Sequence, residues 1–235
     1  MYYGMFYDWT FIILVPAIIF TFIAQGKVNS AYNSFARIAS ARGISGEQAA
    51  RKILDANGLF NVDIGMAGGK LSDHYDPMKR NMKLSPNVFG DSSIASVAIA
   101  AHESGHAIQH AKKYAPLLIR NVIALPVSII SWASWPLLIA GIILMQVGKY
   151  TTGDMIFDIG ACAFAAVVLF YLITLPVELD ASKRAIRELE TENIILPEET
   201  AGVKKVLSAA AMTYVAALAM AAAQFLRILL IRGRN

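Results

Sequence analysis

The stretch AAHESGHAIQH, residues 100–110, crowds three of the four histidines and a glutamate into what otherwise reads as a plain apolar helix. Within it, His102-Glu103-Ser104-Gly105-His106 has the H-E-x-x-H pattern. Residues four apart share one face of an α-helix, so the two imidazoles can converge on a single ion. Glu103 lies about 100° around the helix from His102. It is thereby placed beside a metal rather than on it, where its carboxylate can take a proton from a water.

His110 is separated from His102 by about 12 Å of helix, at about 1.5 Å per residue. Ligands of one zinc lie within about 4 Å of one another. Zinc sites that use a third histidine break the helix at a glycine before it. Here Ala-Ile-Gln follows His106 instead, so His110 is expected at the surface or behind the ligands.

A catalytic zinc needs a third protein ligand and one open position. LPVELDASKRA, residues 175–185, offers Glu178, with Asp180 as a partner that could orient an imidazole. The alternatives are a carboxylate that merely favours a helix start for Glu178 and a solvent-facing acid for Asp180. His74 and Tyr75 could stabilise a developing oxyanion. The competing reading holds His74 within the turn that Asp73 and Asp76-Pro77 make.

Four apolar runs must position these groups. They are 5–24, 122–147, 155–175 and the alanine-rich 206–231, and each has about the 20 residues that cross a bilayer. The composition agrees, with 56% hydrophobic residues, 16% charged residues and a mean hydropathy of +0.51. The first run has Asp8, no basic flank and no small-residue cleavage site, and is read as a retained anchor. Pro126 and Pro136 are expected to bend the second run, and Pro176 to end the third.

Two spans separate His106 from Glu178, so both residues return to the same side of the membrane. Twelve Lys/Arg lie between the first two spans and five in 177–205, which puts both segments in the cytoplasm by the positive-inside rule. The organisation expected is an anchor (1–26), a polar segment with the metal helix (27–121), a helical hairpin (122–176), a second polar segment (177–205) and a last span (206–235).

Within the first polar segment, an amphipathic helix is predicted over 27–42, with Val28, Tyr32, Phe35 and Ile38 on one side. A second helix is capped by Ser45 and Gln48 and ends at Asn57-Gly58. A strand is expected at 60–64, then two strands joined through Asp76-Pro77. Asp91 is expected to cap the metal helix. Asp158 marks either a polar path or a reach to the headgroups, and Gly141 a helix-packing position.

HESGHAIQH, LSDHYDP and LPVELDASKRA together resemble the YugP-type family of neutral zinc metallopeptidases of bacterial membranes, along nearly the whole chain. The sequence is more distantly similar to the HtpX-type membrane proteases, whose third ligand lies in an E-x-x-A-D motif. Glu178-Leu-Asp-Ala181 fits that motif, but Ser182 stands where its aspartate is expected. The resemblance implies peptide hydrolysis at a cytoplasm-facing site.

The expected fold is therefore mainly α, a polytopic membrane protein of about four spans with a zincin-like cytoplasmic portion containing a short β-hairpin. The expected activity is that of a metalloendopeptidase of the bacterial plasma membrane. One Zn²⁺ is held by His102, His106 and Glu178, with Glu103 as general base. The partners expected are the lipid bilayer and a membrane-associated protein or peptide substrate, with a homo-oligomer left open. The net charge of +4, with no basic cluster interleaved with aromatics, argues against nucleic acid. The lone Cys162 excludes an internal disulfide framework. An inactive zinc-binding scaffold and, more weakly, a transporter are the rival readings.

Overall fold

The computed structural model describes residues 9–69 and 72–233. The expected start of the first span at residues 5–8, Asp8 included, lies outside these, as do Leu71 of LSDHYDP and Arg234. The protein is mainly α. Four of its helical stretches are long and apolar enough to cross a membrane: Trp9–Phe35, Ala115–Gln146, Tyr150–Thr191 and Pro197–Arg232. Two compact units divide the chain.

The first unit takes the described residues up to 23, then 119–175 and those from 214 onward. It draws on helices α1 (Leu14–Phe35), α5 (Ala115–Gln146), α6 (Tyr150–Thr191) and α7 (Thr200–Arg232). Leu138, Met145, Phe157, Phe164 and Ile228 form its core. A Cβ on Gly141 would stand 2.7 Å from the Phe157 backbone nitrogen, so the glycine is what lets α5 and α6 approach. Val122, Leu125, Ile129 and Trp132 instead leave α5 outward and exposed. Their helical spacing makes an apolar stripe that hydrocarbon, not water, can accommodate. Both prolines of α5 lie inside an unbroken helix. Asp158 forms an ion pair with Arg232 at 2.7 Å, and the same guanidinium reaches Asp154 at 2.9 Å.

The second unit joins residues 24–118 to 176–213. Its centre is α4 (Ile94–Ala111), which packs on α2 (Gly46–Ala56) through Ala49, Ile53, Ala98 and Ala101. The capping box of Ser45 and Gln48 starts α2, and Asn57 with a left-handed Gly58 ends it, as the sequence indicates. Short α3 (Pro86–Phe89) and a three-stranded sheet cover the other side of α4. The strands β1 (Asp63–Met66), β2 (His74–Asp76) and β3 (Asn81–Leu84) lie in the order β1-β3-β2. β1 pairs parallel with β3, and β2 pairs antiparallel, with Tyr75 opposite Met82.

Four local expectations need correction, each for a physical reason. The strand expected at 60–64 begins only at Asp63, because the Arg51 guanidinium captures the carbonyls of Leu59 and Val62 and holds the intervening residues as a turn. The helix expected over 27–42 is the continuation of α1 and stops at Phe35. Beyond it, the Ile38 carbonyl accepts from Ile94 N–H and Ser40 N–H donates to Ser92, so this backbone secures the entry to α4. The cap of α4 is Ser93, whose hydroxyl accepts from Ser96 N–H, while the Asp91 carbonyl accepts from Gly46.

Pro176 does not end its helix, since α6 runs on to Thr191. A proline removes one backbone hydrogen bond. Against that loss, Val177, Ala181, Ala185 and Leu189 form a fully buried stripe four residues apart, and the last two pack in one cluster with Ala101 and Ile108 of α4. Burial of that face outweighs the missing bond.

Candidate metal centre

The site lies within the second unit, on the facing sides of α4 and the later part of α6. The helix pair can approach because residue 105 is glycine. A Cβ there would lie 2.6 Å from the Ala181 carbonyl oxygen. A Gly105→Ala substitution would ordinarily favour a helix. In this position it is expected to cost about 1–3 kcal/mol through overpacking and to weaken metal binding by pushing α6 away. Thermal unfolding and zinc titration check both effects.

At this crossing His102, His106 and Glu178 each offer one ligand atom, and the three atoms lie within 4.8 Å of one another. The Glu178 Oε2 is 3.3 Å from His102 Nε2 and 3.6 Å from His106 Nε2. The two imidazoles stand edge to face, their centroids 4.8 Å apart. Glu178 is 2% exposed. Burial alone pushes its carboxyl pKa up, but the hydrogen bonds and charges of the two imidazoles override this and hold it well below the usual carboxylate range.

Behind the ligands, each imidazole is oriented through Nδ1. His102 Nδ1 meets the Ser182 hydroxyl at 3.2 Å, and His106 Nδ1 meets Gln109 Oε1 at 3.0 Å. Gln109 is wholly buried, and its Nε2 donates to the Val177 carbonyl and to Asp180 Oδ2, both at 2.8 Å. Those two acceptors fix which end of the amide is nitrogen, so its oxygen must face His106. His106 Nδ1 then carries the proton, and Nε2 is the atom left for the site. Asp180 is itself held by Arg184 at 2.6 Å, with the guanidinium 5.7 Å over the Tyr114 ring.

These residues fit zinc. Two imidazole nitrogens and a carboxylate are the donors it takes at a three-ligand site. A buried carboxylate aimed at two imidazole Nε2 atoms is balanced only by positive charge between them, whether protons or a cation.

The sequence profile described as "Putative neutral zinc metallopeptidase" matches residues 10–233. The chain belongs to this metallopeptidase family. It is also 39% identical over 223 residues to a Bacillus subtilis (strain 168) protein named "Putative membrane protease YugP", covering 94% of this chain and 96% of that one. No solved structure matches.

In this family member Glu103, one residue beyond His102, is 9% exposed, and among the described residues its carboxylate has no hydrogen-bond partner. It is therefore available to a water. Asp180 reaches no imidazole directly, and its hold on His106 passes through Gln109. His74 is exposed at the start of β2, with Nδ1 2.8 Å from the Ser72 carbonyl, outside the turn that follows Asp76. Tyr75 donates or accepts at His110 Nδ1, 3.0 Å away. His110 stands outside the convergent trio.

Gln109, Ser182 and Gly105 are the residues that sequence reasoning missed. The signal for Gln109 was its place three residues past His106, on the same helix face. Ser182 was visible only as a departure from a motif. Replacing Gln109 by leucine, which keeps bulk but loses all three hydrogen bonds, is expected to lower zinc affinity about 10–100-fold. Competition with a chromogenic chelator measures it.

Proposed function

We propose that this protein is a zinc metalloendopeptidase that cuts membrane-associated polypeptides close to the cytoplasmic surface of the plasma membrane. The observation that carries the reading is the convergence of His102, His106 and Glu178, with Glu103 next to His102 on α4 and without a hydrogen-bond partner among the described residues. The chemistry a bound zinc supplies here is Lewis acidity, which polarises a carbonyl and brings the pKa of a water toward about 7.

The chain's own residues do the rest. His102 and His106 present Nε2 because Ser182 and Gln109 occupy the opposite nitrogens. Glu178 supplies the negative charge that makes the site favour a divalent cation. Glu103 takes the proton of the attacking water on a carboxylate oxygen and delivers it to the leaving amine nitrogen. The membrane-surface location is supported by Glu178 standing three residues past the apolar run that ends at Leu175. The basic segments around the site support the cytoplasmic side.

The direct test is hydrolysis of casein by the purified full chain. Activity is expected to vanish with a chelator and return with one equivalent of zinc. Chelator-resistant hydrolysis would remove the metal from the mechanism, and zinc binding with no turnover would favour the inactive scaffold. Sidedness is read separately, by protease added to sealed inverted vesicles. Cleavage within 30–110 is expected there, and protection from it would place the site outside.

A further inference from the structure

A second cleft, of about 370 Å³, opens beyond the C-terminal end of the metal helix. Its walls include Arg80, Lys113, His110 and Tyr75, with Leu59 and Leu118 as apolar surface, and among the described residues no acidic side chain lines it. Among the described residues neither Arg80 nor Lys113 is paired with a carboxylate. Tyr75 and His110 are bonded to each other. On Tyr75, burial raises the phenol pKa, and the Arg80 charge lowers it against a smaller push upward from Asp76.

The backbone adds a second, independent observation. Arg80 (φ 50°) and Lys113 (φ 51°) are two of only three non-glycine residues with positive φ among those described. Lys113 sits where α4 ends: its N–H bonds to the His110 carbonyl, and that of Tyr114 bonds to Gln109. This is the helix-terminating position that glycine fills at least cost. Arg80 occupies the equivalent strained place in the turn before β3. At both positions the fold alone asks for glycine or asparagine, and the chain carries a cation that borders the same cleft. Strain kept at two converging positions points to a ligand rather than to folding.

The surroundings say which ligand. Leu118 belongs to the first turn of α5, whose apolar run follows at once. Phe60, between the lining residues Leu59 and Asn61, and Met78, two residues before Arg80, are 73% and 94% exposed. Basic groups at the foot of a membrane-crossing helix, flanked by bare apolar tips, suit a headgroup with acyl chains close by.

We propose that this cleft binds the phosphate headgroup of an anionic phospholipid, with Arg80 and Lys113 as its principal contacts and His110 and Tyr75 at its inner wall. The site is independent of the metal centre and of the peptidase reading.

The test is native mass spectrometry of the chelator-treated full chain in neutral detergent, titrated with phosphatidylglycerol or phosphatidylcholine. One phosphatidylglycerol is expected to bind in preference. Arg80→Gly and Lys113→Gly are each expected to weaken it about fivefold. Both variants should hold or raise the melting temperature, because glycine relieves the left-handed backbone. Lys79→Gln and Lys112→Gln, neighbours that do not line the cleft, should leave binding unchanged. Equal losses in these controls would mean diffuse surface charge and would overturn the proposal. So would equal binding of the two lipids. Displacement of the lipid by an equal concentration of inorganic phosphate would make this a free-anion site and overturn the lipid assignment.

Discussion

A Glu103→Gln protein is expected to retain one zinc per chain and to lose peptide hydrolysis by a factor of about 10²–10⁴, the usual contribution of a positioned general base. The substitution keeps shape and burial and removes only proton affinity. Glu103 follows His102 directly on α4, and no hydrogen bond to another described residue is sacrificed. The ligand geometry should therefore survive. Zinc quantitation on the same preparation separates lost chemistry from a lost metal. Full activity with zinc bound would move the proton transfer to another group.

The second large effect is expected at Glu178. Glu178→Gln leaves two neutral imidazoles and an amide, with no negative charge to offset a divalent cation. Zinc affinity is expected to fall by more than the about 10–100-fold typical of partners behind the ligands. Zinc should then no longer raise the melting temperature, since a ligand stabilises only to the extent that it binds the native state. In the parent protein the zinc-dependent shift should be present, so the pair of melting curves with and without metal is the measurement. An unchanged zinc content in Glu178→Gln would place the third ligand elsewhere.

What the sequence revealed and what it hid divide along physical lines. The convergence of His102, His106 and Glu178 was legible because it rests on two strong regularities: the four-residue helical repeat that aligns His102 with His106, and the even number of apolar runs that returns Glu178 to their side. The capping box at Ser45 and the turn at Asn57-Gly58 were legible because their signals are local. The course of α6 through Pro176 was not. Proline speaks for the one hydrogen bond it removes, whereas the decision rests with a buried stripe whose Ala185 and Leu189 pack with Ala101 and Ile108 of α4, more than seventy residues earlier in sequence. Arg51 hid the true start of β1 in the same way, by taking carbonyls that a strand would have used. Gln109 was overlooked because an amide in an apolar helix looks inert. Its importance follows from three hydrogen bonds, two of them to α6.

Because 76 residues separate His102 from Glu178, the ion would be a clasp between distant parts of the polypeptide. A growing chain that has not yet reached residue 178 owns both imidazoles but not the carboxylate, and holds zinc weakly. On the proposed function, hydrolytic competence would therefore arrive late in biosynthesis, after α5 and the whole apolar run of α6 have been made. On that reading the protein would be spared a working blade while its own unfolded segments are still within reach.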